Sequence, residues 1–326
     1  MRLKRIIFLA VLVGSVAMGC GEDEPAQKID LDKREEISLA NPDQAITYAY
    51  LPQYAHTVSY QRHHLVMEYL ARVTGLKVRQ VYPDTFDQHM DMVGRGLIDI
   101  TFSNPFIYVK IAEHHGAKAF ARIVEAVGRE NFRGQIICRA DNRSIKTLAD
   151  LKGKRLIAVD PTSAGGYLYP WSLILEYGLQ RKDFAEIAFA PGPGGKQEKV
   201  VMAVYSGKYD AGLIREHTLD IMADKIDLKQ IRVLAFSKWY PGWVYAARKG
   251  LDPGTLDKIK QALLALNWNN PEHRLILERA GFVGVTPAQD RDFDPVRQLA
   301  DMVAAERTSN DKNWPLPSKD LKNWQD

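Results

Sequence analysis

The feature that most constrains this chain is the run Arg155-Leu156-Ile157-Ala158-Val159, followed at once by Asp160-Pro161-Thr162-Ser163-Ala164-Gly165-Gly166. A near-continuous apolar run does not alternate, so it suits a strand covered on both faces, as in a parallel sheet. Parallel neighbours need crossover connections, usually helices, and the rest of the chain supplies them. Strand-like runs at Ile46–Pro52, Lys77–Tyr82 and Ile98–Phe102 are separated by helical patterns over 59–74 and 85–94. Further strands at 134–139, 210–214, 231–237 and 244–248 interleave with a short helix at 147–151 and helices from about 166, at 197–206, 253–266 and 271–280. That order is α/β layering. The length suits about two domains.

The first twenty residues set the compartment. Arg2, Lys4 and Arg5 precede an apolar run from Ile6 to Val16, too short to span a bilayer. This is the layout of an export signal. Ala17-Met18-Gly19-Cys20 resembles a bacterial lipobox, so residues 1–19 are read as a lipoprotein signal peptide and Cys20 as the lipidated residue. Residues 20–44 form a polar tether. With Cys20 acylated, the one other cysteine, Cys138, has no intrachain partner and reads as a core thiol. The formal charge is +4, of which Arg2, Lys4 and Arg5 contribute three, leaving the exported part near +1. Such a balance offers nothing to nucleic acid, and the membrane is reached only through the N-terminal lipid.

The richest chemistry lies after the Leu156–Val159 strand. Small residues turn the chain into a helix, leaving backbone N–H groups without intrahelical partners at a partly positive end. An anion is the natural guest, with the Ser163 hydroxyl as an added donor and Ala164, Gly165 and Gly166 permitting close approach. The loop Gln53–Ser59 opens the first helix and offers Tyr54, His56 and Thr57. Arg133 is a candidate cation if its strand face is right. His63-His64 and His114-His115 point about 100° apart on their helices and read as solvated faces, not metal ligands. Pro191–Lys196 lacks the spacing of a phosphate-binding loop. No nucleophile elbow or paired-carboxylate motif is present, and no cofactor is called for.

Asp150-Leu151-Lys152-Gly153-Lys154 and then Asp160-Pro161-Thr162-Ser163-Ala164-Gly165-Gly166-Tyr167 resemble the phosphonate/phosphite family of periplasmic binding proteins of ABC importers. Ala203-Val204 with Gly207, Asp210-Ala211, Pro241-Gly242 and Pro295–Leu299 extend the resemblance, in order, from about Ile46 to Met302. It implies an α/β, type II periplasmic-binding-protein fold, two lobes joined by a two-crossover hinge. One lobe would be 45–133 plus 236–300, the other 134–235, with crossovers near 132–135 and 234–238 and a tail at 301–326. It further implies a monomeric, periplasmic, non-enzymatic protein that hands a small anion to an ABC permease, or reports it to a membrane sensor kinase.

By the same resemblance Ser163 matches the first serine of the family's anion turn, while the second falls on Gly165. The positions that read aminophosphonates fall near Gln197, His217 and Trp243, with Glu216 adjacent, and an aromatic position falls on Ser103. A ligand ammonium therefore loses its carboxylate partners here. Trp239, Tyr240, Trp243 and Tyr245 stand around Pro241-Gly242, either as a cleft rim for a hydrophobic or cationic substituent or as lobe packing.

Overall fold

The computed structural model describes residues 45–53, 56–192 and 196–310, with the side chains of 307–310 aside. Cys20, Tyr54 and the signal and tether lie outside the described residues. From Ala45 onward the chain forms one compact unit. It opens with β1 (Ile46–Tyr50), α1 (His56–Thr74), β2 (Val78–Gln80), α2 (Phe86–Gly94), β3 (Ile100–Ser103), α3 (Pro105–His115) and β4 (Lys118–Glu125). A short strand β5 (Asn131–Phe132) leads to β6 (Gly134–Arg139), β7 (Arg155–Ala158), α4 (Tyr169–Glu176), β8 (Glu186–Phe189), α5 (Lys196–Tyr205), β9 (Ala211–Arg215), α6 (Thr218–Ile221) and β10 (Ile231–Phe236). The chain returns through β11 (Tyr240–Pro241) to β12 (Val244–Ala247), α7 (Pro253–Leu264), α8 (Pro271–Ala280), β13 (Phe282–Pro287) and α9 (Asp294–Asn310).

Two separate sheets result. The first has the order β13-β4-β12-β3-β1-β2 and the second β10-β6-β9-β7-β8. Strand β7 is parallel to both β8 and β9, which accounts for its unbroken apolar run. The strands of the first sheet come from both ends of the chain and those of the second from the middle, so the chain crosses between lobes twice. The crossovers are themselves paired: β5 and β11 form a two-stranded antiparallel ribbon, Tyr240 opposite Phe132 and Pro241 opposite Asn131. Ser237 ties them further, its Oγ accepting from Gly134 N–H at 3.0 Å and its own N–H donating to Gly134 O at 3.0 Å. The second crossover falls a few residues later than the sequence suggests, because β10 keeps pairing with β6 as far as Phe236.

Local chemistry explains the helix ends that matter. Thr85 caps α2 by accepting from Gln88 N–H. Asn104 accepts from the N–H groups of Phe106 and Ile107, Pro105 takes the first helical position, and Gly116 closes α3 in the left-handed region at φ 68°. Helix α3 and strands β4, β8 and β13 escape the periodicity reading. In α3 six of eleven residues are buried, and its polar residues Lys110, Glu113, His114 and His115 all fall in the second half, so the first five residues read as one apolar run. Helix α9 runs unbroken past residue 300 to Asn310 and packs on α3 of the first lobe and α4 of the second.

Of the histidine pair on α1, His64 keeps to the outer face but His63 does not. Residues Ser59, His63, Val66, Met67 and Leu70 share the inward stripe of α1, and His63 is fully buried. Its ring lies 4.5 Å from Tyr50 and 5.2 Å from Phe102, with Nδ1 2.7 Å from the Tyr48 hydroxyl. Burial lowers its pKa from 6.5 to about 3. His89 on α2 is equally buried, 2.5 Å from Thr101 Oγ1, and likewise lowered to about 3. Cys138 sits in β6 with no exposure, and burial pushes its thiol up.

Candidate ligand-binding cleft

The carboxyl ends of β3, β7 and β9 come to the place where the two lobes meet. Ligands of open α/β sheets bind beyond the carboxyl ends of such strands. The loop after β7 is a turn of π-helix, Ala164–Leu168, continuous with α4. Ser163 stands before it in extended conformation (φ −80°, ψ 120°), its Oγ accepting from Gly166 N–H at 3.1 Å. Leu168 N–H returns to Ser163 O at 2.9 Å. Ala164 and Gly165 occupy the first two helical positions, where no intrahelical carbonyl is available to their N–H groups.

The glycines here are required by packing rather than by dihedral angle, since neither has a positive φ. A Cβ on Gly165 would stand 2.6 Å from the Phe132 ring and 3.1 Å from Arg215 Cβ. One on Gly166 would stand 2.3 Å from Val159 Cγ2 and 3.0 Å from Gln197 Nε2. The room at both positions is therefore taken by the protein itself, not left open for a ligand as the sequence suggests. What the turn can offer an anion is its backbone donors and the Ser163 hydroxyl hydrogen.

The other lobe meets this turn through the start of α3. Asn104 Nδ2 donates to Thr162 O at 3.4 Å, next to Ser163. Ser103 is fully buried there, and its Oγ has no hydrogen-bond partner among the described residues. Such an orphaned hydroxyl is a cost that a bound oxygen would relieve. Two charge pairs border the site. Lys196 Nζ is 2.5 Å from Asp160 Oδ2 within the second lobe, and Arg215 Nη2 is 2.6 Å from Glu125 Oε1 across the two lobes. Tyr169 adds a bridge to the hinge, donating to Pro241 O at 3.1 Å.

Of the sequence candidates, Ser163, Ala164, Gly165, Gly166 and Gln197 come together. Gln197 Oε1 accepts from Arg215 N–H at 2.9 Å, fixing that amide against the turn. Ser103 lies next to Asn104, which reaches Thr162 from the other lobe. The rest do not join. His56 is turned toward the β2–α2 loop, 3.3 Å from both Pro83 O and Asp84 Oδ1, and its ring lies beside Tyr82. His217 has a left-handed backbone (φ 69°) that swings its ring outward, half-exposed, onto Asp220 at 2.8 Å. Trp243 is 4% exposed and packs with Tyr50 and Phe102 at 5.5 and 5.1 Å, so it belongs to the lobe interior. Arg133 is committed elsewhere: Glu216 Oε1 accepts from both Nε and Nη2, and the guanidinium stacks on Phe236 and Trp239. The aromatic group around Pro241 is dispersed, with Tyr240 stacked on Tyr169 at 4.5 Å and Tyr245 on Phe102 at 4.5 Å. Sequence reasoning missed Asn104, although Asn before Pro is a helix-start signal, and it missed the Arg215–Glu125 pair, for which no local signal exists.

Two lobes, paired crossovers and an anion-suited turn at their junction set the frame for comparison with known proteins. The model of the family described as "ABC transporter, phosphonate, periplasmic substrate-binding protein" matches residues 48–293. This chain belongs to that family. A relative from Mycolicibacterium smegmatis, named "Phosphate-import protein PhnD", is 30% identical over 85% of this chain and 91% of its own length. Two solved structures share the fold. A binding-protein component of a phosphonate ABC transporter from Pseudomonas aeruginosa superimposes with TM-score 0.70 at 17% identity, covering 82% of this chain and 89% of its own. PhnD1 from Prochlorococcus marinus, in complex with methylphosphonate, gives 0.71 at 15%, covering 80% and 99%. Members of the family are the periplasmic, substrate-binding parts of a transporter rather than enzymes.

Proposed function

We propose that this protein binds a compact oxyanion of the phosphate, phosphite or alkylphosphonate type and delivers it to an ABC permease from a lipid anchor on Cys20. The carrying observation is the Ala164–Gly165 start of the turn, whose backbone N–H groups have no intrahelical acceptor, with the Ser163 hydroxyl beside them and the orphaned Ser103 hydroxyl next in sequence to Asn104, which reaches Thr162 from the other lobe. Helix starts of this kind favour negative charge without a resident cation. A ligand ammonium is poorly served, because Glu216 is held by Arg133 and Glu125 lies against Arg215. This supports a ligand without an amino group and speaks against aminoethylphosphonate. Import suits the family, and acylation at Cys20 rests on the lipobox-like Ala17-Met18-Gly19-Cys20. The protein is taken to act as a monomer.

The test is thermal unfolding with phosphate, phosphite, methylphosphonate, aminoethylphosphonate and sulfate. A ligand at 100 times its Kd adds about 2.7 kcal/mol, a shift of a few degrees. A rise with one of the first three and none with aminoethylphosphonate is the expected pattern. A shift with aminoethylphosphonate alone would overturn the reading. Mass spectrometry of the exported protein, with and without Cys20→Ala, tests the anchor.

A further inference from the structure

The two charge pairs bordering the turn differ in a way that bears on which anion the cleft accepts. Lys196 and Asp160 sit on the same lobe, so their pair persists whatever the lobes do. Arg215 ends β9 on the second lobe, whereas Glu125 ends β4 on the first. Their contact exists only while the lobes are together.

Arg215 is also the cation whose stem runs along the anion turn. A Cβ on Gly165 would touch its Cβ and Cγ, at 3.1 and 3.2 Å. Its guanidinium passes 4.7 Å over the Phe132 ring in the hinge ribbon and brings Nη2 to 2.6 Å from Glu125 Oε1. The approach is close but not directed. Glu125 Oε1 is buried and accepts no well-directed hydrogen bond among the described residues. The pair is thus a charge contact between the lobes rather than a directed hydrogen bond. Elsewhere the same chemistry is fully engaged, as where Arg133 donates twice to Glu216.

From this geometry we propose that Arg215 and Glu125 together select the charge of the ligand: Arg215 draws the anion to the turn, and Glu125, arriving on closure, cancels one positive charge and disfavours a doubly charged guest. The inference rests on the oxyanion-binding reading above and deepens it. With the lobes apart, Arg215 has no counter-ion and the turn carries its full attraction for anions. With the lobes together the two ion pairs sum to zero, so a singly charged oxyanion leaves one negative charge in a half-buried cleft and a dianion leaves two, beside the Glu125 carboxylate. In such surroundings one unit charge several ångströms away changes affinity by about tenfold.

The experiment uses the full chain purified in detergent and measures Kd by calorimetry at pH 6 for inorganic phosphate, mostly singly charged there, and for sulfate, doubly charged. The parent should prefer phosphate. Glu125→Gln should raise sulfate affinity about tenfold relative to phosphate, while Glu125→Asp, which keeps the charge, should leave the ratio within twofold of the parent. Arg215→Gln should weaken both anions at least tenfold, and Arg215→Lys should recover part of that loss. Phosphate binding with an unchanged ratio in Glu125→Gln overturns this inference and leaves the oxyanion reading standing. A parent that binds neither anion removes that reading, and this inference with it. Unligated melting temperatures of all four variants show whether each is folded; if Glu125→Gln is not, Glu125→Leu, also uncharged, takes its place with the same expected rise in sulfate affinity relative to phosphate.

Discussion

Beneath its side of the cleft, the first lobe packs Tyr50, Phe102 and Trp243 around a fully buried His63. The second lobe offers a turn made of a serine, an alanine and two glycines. The first is a rigid apolar platform whose polar atoms are mostly turned inward. The second presents backbone, and its side chains have been pared away so that Phe132, Val159 and Gln197 can approach. On the proposed reading, recognition falls to the lobe with the fewest side-chain atoms at the contact. The lobe with the most aromatic mass serves as the surface against which the turn closes.

The largest effect expected from this asymmetry is on acid stability. His63 and His89 both belong to the first lobe, and both fall to about 3 when folded. Their pKa values are depressed below the unfolded value of about 6.5. Neither residue affects stability above that pH, and both remove it as the pH falls toward 3, because only the unfolded chain takes up the proton. The slope is about 1.4 kcal/mol per pH unit for each histidine, so at pH 4.5 the two together cost about 5 kcal/mol. Hydrogen exchange followed from pH 7 to 4.5 should show β1, β3, α1 and α2 losing protection before β7 and β9. Loss of protection in the second lobe first would break the comparison. His63→Phe should roughly halve the pH slope.

A smaller effect separates packing from recognition. Trp243→Ala should destabilise the protein by about 3–5 kcal/mol, as expected for a buried large aromatic. Measured well below the lowered melting point, its anion Kd should stay within threefold of the parent. A tenfold loss of affinity would put the Trp243 ring in contact with ligand and restore the role that the family resemblance gives that position.

The parts of this molecule that were legible in the sequence are those whose cause is local. The β7 strand, its small-residue turn and the Ser163 cap occupy one contiguous stretch, and the structure keeps them together. The lobe architecture followed from resemblance, not from periodicity, which missed α3 because its first five residues are all apolar and its polar ones gather toward the end. His63 was open to reading, since it shares a helical face with Ser59, Val66 and Leu70, but its neighbour His64 drew it to the surface. The outward swing of His217 depends on one left-handed residue, and no composition announces that. The Arg215–Glu125 contact joins residues from two strands on different sheets, so only the closed arrangement of the lobes reveals it. Even the glycines were read for the wrong reason. They serve internal packing, and a charged substitution such as Gly165→Asp would strike Phe132 before it could test an anion.

Ser163→Ala is the cleaner probe, and its effect on stability should be the smallest of the three. The hydroxyl has two duties. Its oxygen accepts from Gly166 N–H, and its hydrogen remains to donate to a guest. Losing the cap should cost about 1 kcal/mol of stability, and losing the donor should weaken oxyanion binding by about tenfold, the worth of one hydrogen bond to a charged group. The two losses separate experimentally, because Ser163→Gly also removes the donor but costs only a few tenths of a kcal/mol as a cap. If both variants lose affinity alike while differing in melting temperature, the hydroxyl is a ligand donor. If affinity instead tracks melting temperature, the turn binds through its backbone alone, and the contrast between the two lobes is sharper than the serine suggests.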